Sequence, residues 1–187
     1  MNMEQNVIQR NMWNTGAVGG AVLGAVSAAY LFLSHPLGSS EMPVFISMLA
    51  SGVLWLAKFA GCIFLMGFFM KKFVSAYSNT DNSATFRLGM IMAFTSALIF
   101  SAVSYADMTF ISADRYAEQF DMIMQQMSSA MDTNTMNAMD RMIERLPEFT
   151  FFSNFIYCTL YGIVLAFILS RNIPRIDPFA NYKPDEQ

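Results

Sequence analysis

Charge is scarce in this sequence. Only 13% of its 187 residues are Asp, Glu, Lys or Arg, about half the share of a soluble domain. So few charges cannot coat a globule, and much of the surface must face something other than water. The 11 lysines and arginines are dispersed, which argues against the clustered basic face of a nucleic-acid binder. Cys62 and Cys158 are the two cysteines, each inside an apolar run. They form neither a disulfide framework nor a metal-spaced pair, and are expected to be buried apolar thiols. The one histidine, His35, has no Cys or His near it in sequence. A His-based metal site or a Ser-His-Asp triad has little to draw on, and neither metal nor other cofactor is expected.

What the sequence has in abundance is apolar length. It is 55% hydrophobic, and a bilayer core takes about 20 apolar residues of helix. Four runs qualify: residues 15–33, 44–70, 88–106 and 149–169, the second containing one charge, Lys58. The first run continues through Tyr30-Leu31-Phe32-Leu33 beyond any small-residue cleavage site, and so is expected to stay as a span. The connection Ser34 to Pro43 holds Pro36, Gly38 and Pro43, and that from Ser75 to Thr85 is rich in Ser, Asn, Asp and Thr; both are turns. Asp81 or Ser83 can cap the third span.

Orientation follows from Lys and Arg in the flanks. One side holds seven, at Arg10, Lys71, Lys72, Arg87, Arg171, Arg175 and Lys183. The other holds three, at Arg115, Arg141 and Arg145, amid seven carboxylates from Asp114 to Glu148. The basic side is expected to be cytoplasmic, with both termini and the tail 171–187 there, in a bacterial inner membrane.

The long third connection is patterned. Ala117, Phe120, Met124, Met127 and Met131 share a helical face, as do Met136, Met139, Ile143 and Leu146. Asp132-Thr133-Asn134-Thr135 between them is a turn with capping residues. A helical hairpin over about 112–146 is predicted, prolonging spans three and four outside the membrane. Its antiparallel arms would bring Met131 near Met136 and Phe120 near Leu146, with Pro147 marking entry to the fourth span. Seven methionines lie in the hairpin. Thioethers suit copper(I), but methionine at helical spacing reads as adaptable packing.

Inside the spans, Gly16, Gly20 and Gly24 recur every fourth residue, the pattern of a close helix–helix seam. Gly16-Ala17-Val18-Gly19-Gly20 has no following Lys-Ser or Lys-Thr, so it is not a phosphate loop. Lys58 costs about 2.5–3.5 kcal/mol deep in a span. Ser47, Ser51 and Lys58 share a face, as do Asn154, Tyr157 and Tyr161, while Tyr105 and Asp107 sit at the outer end of span three. A polar intramembrane cluster of Lys58, Asp107, Tyr105, Asn154 and Tyr157 is expected, with the lysine reaching outward to Asp107.

The layout resembles a family of small bacterial inner-membrane proteins, domain of unknown function 4199. The resemblance rests on four spans, the long outer insertion and the tail Ser170-Arg171-Asn172-Ile173-Pro174-Arg175-Ile176-Asp177-Pro178-Phe179. It implies a Bacteroidetes protein, often encoded beside a polyprenyl-phosphate glycosyltransferase that would be a candidate partner. No family site residues carry over. The residues themselves point first to a non-enzymatic accessory or scaffold subunit that binds a membrane partner or a second copy. The alternative is a small transporter or lipid-handling protein using Lys58 to hold an anionic group. The spans lack the paired carboxylates of a membrane enzyme.

Overall fold

The computed structural model describes residues 3–35, 43–77, 81–127 and 132–173. Most of the tail motif, residues 128–131 including Met131, and most of the first loop lie outside the described residues. The chain is an all-α membrane protein with four helices long and apolar enough to span a bilayer. These are α1 (Met3–Ser34), α2 (Val44–Ala76), α3 (Asn82–Ala106) and α6 (Leu146–Asn172). A π-helical turn, Asp107–Ile111, continues α3. Two shorter helices, α4 (Ala113–Met127) and α5 (Thr133–Glu144), lie between this turn and α6 among the described residues.

Each helix outruns its apolar run. α1 starts at Met3, since nothing between Asn2 and Thr15 breaks a helix. α2 has 33 residues and is about 50 Å long, more than a bilayer needs. Asp81 caps α3, its carboxylate accepting from the Asn82 amide at 2.6 Å.

α3 is the centre of the bundle, with α1 on one side and α6 on the other. Small residues let it be so. A Cβ placed on Gly20 of α1 would lie 2.6 Å from the Thr95 Cβ and 2.7 Å from the Met92 carbonyl oxygen. On the other side, Cβ atoms on Gly89 and Gly162 would each meet an alanine Cβ, of Ala166 and Ala93, at 2.5 Å. These are backbone-close crossings of the kind membrane helices use in place of hydrophobic collapse. Gly16 and Gly24 join Gly20 on the α1–α3 seam, facing Ile91 and Ile99.

α2 is held unevenly. Its half toward Lys71 is packed: Met66, Met70, Phe73 and Val74 are buried in one cluster with Met12, Leu88 and Met92. Its other half is loose. Phe45, Met48, Val53 and Leu56 are exposed, and a Cβ on Gly52 or Gly61 would meet nothing within 4 Å.

α4 follows the π turn, and α5 passes into α6 through Arg145, so the two arms do prolong spans three and four. The close antiparallel pairing expected of them is not seen, because the backbones of α4 and α5 barely approach each other. The faces meant to pair carry Phe120, Met124, Met136, Met139 and Ile143, which are half-buried.

Candidate functional site

Lys58 lies 13 residues along α2 from Lys71, about 20 Å from the basic end. It lines a partly open cavity of about 130 Å³. Its ammonium sits over two rings, 4.7 Å from the centroid of Tyr30 and 4.5 Å from that of Phe100. A desolvated cation–π contact is worth up to about 2 kcal/mol, so two offset much of the cost of a lysine at this depth. Among the described residues no carboxylate lies within 4 Å of it; the Asp107 carboxylate instead lies beside His35.

The rest of the cavity is aromatic with isolated polar points. Trp55 stacks on Phe59 at 5.5 Å, Phe59 leans on Tyr161 at 5.6 Å, and Tyr157 stacks on Tyr161 at 6.5 Å. Helical spacing explains the wall: residues 55, 58, 59 and 62 share one face of α2, and 157, 158 and 161 one face of α6. The buried Tyr161 hydroxyl has no hydrogen-bond partner among the described residues. Ser27, Ser96 and the free thiols Cys62 and Cys158 line the same space, with the Ser27 Oγ 3.9 Å from the Cys62 Sγ. A positive charge, an unpaired hydroxyl and stacked rings can receive a lipid-soluble molecule with an acceptor or anionic group.

Asp107 forms a separate polar centre at the outer end of α3. It is 1% exposed, and its Oδ2 lies 3.2 Å from His35 Nε2, in close contact though not aligned as a hydrogen bond. Its Oδ1 accepts from the Ser112 hydroxyl at 3.0 Å. One turn below, the Asn154 side-chain amide donates to Ser104 Oγ at 3.1 Å, tying α6 to α3. The π turn accounts for the Asp107–Ser112 bond, because its wider winding also carries the Ser112 amide to the Asp107 carbonyl at 2.7 Å. Beyond the membrane end, Tyr116 of α4 feels this centre. Burial pushes its phenol above the usual tyrosine range, the Asp107 carboxylate adds to that, and Arg115 partly opposes it.

The five polar residues expected to converge therefore divide. Lys58 and Tyr157 line the cavity. Asp107 and Asn154 belong to the outer polar centre. Tyr105 packs edge-on against Phe151 at 6.4 Å. Lys58 and Asp107 form no ion pair, for two physical reasons. Helix rise puts them about 10 Å apart in depth, and His35 arrives from the end of α1 to take the carboxylate. Sequence proximity gave His35 no partner. Tyr161 and the two cysteines join the site by helical periodicity, which α6 had displayed from Asn154 onward. Among the described residues, no cluster of three or more His, Cys, Asp or Glu could hold a metal ion.

No curated protein and no solved structure matches the chain. A family model does match, over residues 16–171, from within α1 to the last turn of α6. By that match the chain belongs to the family described as "Protein of unknown function (DUF4199)".

Proposed function

We propose that this is a non-enzymatic lipid-handling protein of the bacterial inner membrane, which holds an acidic, lipid-soluble molecule by its anionic group against Lys58. The observation that carries this reading is a lysine over aromatic rings, beside a mid-membrane cavity, with no carboxylate within 4 Å among the described residues. An intramembrane charge is costly and marks a functional site by default. An anion on Lys58 would neutralise it, the Tyr161 hydroxyl could donate to the same group, and the aromatic wall would hold the apolar portion. The unpacked outer half of α2 leaves a lateral way in from the bilayer.

The test is the lipid complement that co-purifies in mild detergent with wild type, Lys58→Met and Lys58→Arg. An acidic amphiphile bound to wild type and Lys58→Arg, and lost from a folded Lys58→Met, supports the reading. The same complement on all three proteins rejects it.

A second reading, an accessory or scaffold subunit, is favoured by the outer helices. Met122, Ile123, Met127 and Met142 are exposed on α4 and α5, leaving adaptable apolar surface for a membrane partner or a second copy. Site-specific photo-crosslinking from Met122 and Met142 tests it. Crosslinks confined to lipid would count against a protein partner.

A further inference from the structure

At the basic end of the bundle, α1 and α2 part around a second groove, of about 340 Å³. One face of each helix lines it. Asn14, Thr15 and Val18 recur at helical spacing on α1, and Phe69, Lys72 and Phe73 do so on α2. The Asn11 side-chain amide donates to the Tyr77 hydroxyl at 2.5 Å across the two helices. This strut lies on the aqueous side of the groove and fixes the separation of its walls.

The lining changes with depth. Asn14, Thr15 and Lys72 bring an amide, a hydroxyl and an ammonium to one level. Val18 and Phe69 lie three residues further into the spans on their respective helices, about 4.5 Å deeper. Phe73 is buried and forms part of the floor. Lys72 is exposed, and among the described residues it has no carboxylate within 4 Å. Hydrogen-bond donors and a cation at headgroup level, above apolar walls at acyl-chain level, match the polarity profile of a single phospholipid.

We propose that this groove is a binding site for an anionic phospholipid of the leaflet at the basic end. Lys72 and the Asn14 amide contact the phosphate, Thr15 donates to it, and one acyl chain runs along Val18 and Phe69. Basic pockets between spanning helices are recognised sites for such headgroups. Free phosphate offers the same head chemistry but has nothing to place against the apolar walls, so the lipid is the occupant. The site is independent of Lys58, which lies 14 residues away on the same helix.

Native mass spectrometry of the full chain in mild detergent decides the matter. The protein is titrated with phosphatidylglycerol, phosphatidylethanolamine or inorganic phosphate. Wild type retains phosphatidylglycerol in preference to phosphatidylethanolamine. Lys72→Gln weakens that retention about fivefold, the effect of one lysine charge at a membrane surface. Thr15→Val weakens it as well, without removing any charge. Lys71→Gln, one residue along and outside the groove, leaves it unchanged. The proposal is overturned by equal losses in Lys71→Gln and Lys72→Gln, which would mark diffuse attraction. Equal retention of the two lipids overturns it too, as does phosphate binding as tightly as phosphatidylglycerol.

Discussion

At the scale of single residues, charge and space decide the outcome. Asp107 is almost wholly buried and is met by His35 and Ser112. Removing it strands both partners in a dry setting, at about 1–3 kcal/mol for an unsatisfied buried group. Asp107→Ala should therefore lower the thermal midpoint in detergent more than His35→Ala, which leaves Ser112 paired with the carboxylate. Equal midpoints for wild type and Asp107→Ala would show that the outer centre does not hold α1 to α3. Lys58 differs in kind, because rings and not a carboxylate face it. Lys58→Met keeps the side-chain volume and removes a costly ion, so it should fold with unchanged or raised stability. Gly20 shows the reverse case, where one methyl is too many. Gly20→Ala would force its Cβ against the Met92 carbonyl oxygen at 2.7 Å, an overpacking cost of about 1–3 kcal/mol. Gly52→Ala, with open space around it, should leave the thermal midpoint unmoved.

Elements divide by how close their small residues let them come. α1, α3 and α6 are locked by glycine and alanine at their crossings, while α2 is locked only along its basic half. Hydrogen exchange should therefore be slower at Met66–Val74 than at Phe45–Lys58, once lipid shielding is matched between the two stretches. Uniform protection along α2 would contradict the uneven packing. The outer helices depend on their caps. Asp132 starts α5, accepting from the Thr135 amide at 3.1 Å and from the Thr135 hydroxyl. The hydroxyl bond first, then the amide bond, holds its carboxyl below the usual value of 3.8. A lowered folded pKa gives a contribution that is present above the unfolded value and lost as the pH falls through the folded one. Amide exchange in α5 should thus rise as the pH is taken well below 3.8, beyond the intrinsic pH dependence of exchange. Asp132→Ala should already exchange fast at neutral pH and show no such step.

For the whole molecule, threading is the first question. Under the positive-inside rule, the seven-to-three division of Lys and Arg predicts a cytoplasmic basic end. Reporter fusions after Asn79 and at the C-terminus should read as cytoplasmic, and a fusion at Asn134 as external. A cytoplasmic signal from Asn134 would invert the molecule and move the outer polar centre to the inside. The groove beside Lys72 would then open to the outer leaflet, while the Lys58 cavity would stay within the membrane.

Much of this was written in local sequence. Four long apolar runs must become helices, because only a helix lets one segment of that length satisfy its own amides and carbonyls in hydrocarbon. The Gly16–Gly20–Gly24 stripe announced a close crossing, and Asp132 announced a helix cap, although Thr133, Asn134 and Thr135, expected as a turn, form the first turn of α5. These features depend on composition and period along one segment. Which surfaces meet depends instead on residues far apart in the chain. The stripe did not name α3 as its partner. Gly89 and Gly162, isolated in their own helices, form a seam only because α3 and α6 are adjacent. His35 reaches Asp107 across 72 positions, and Lys58 meets Tyr30 of α1 and Phe100 of α3. Pairing across helices is set by the crossing geometry of the bundle, which no single segment encodes.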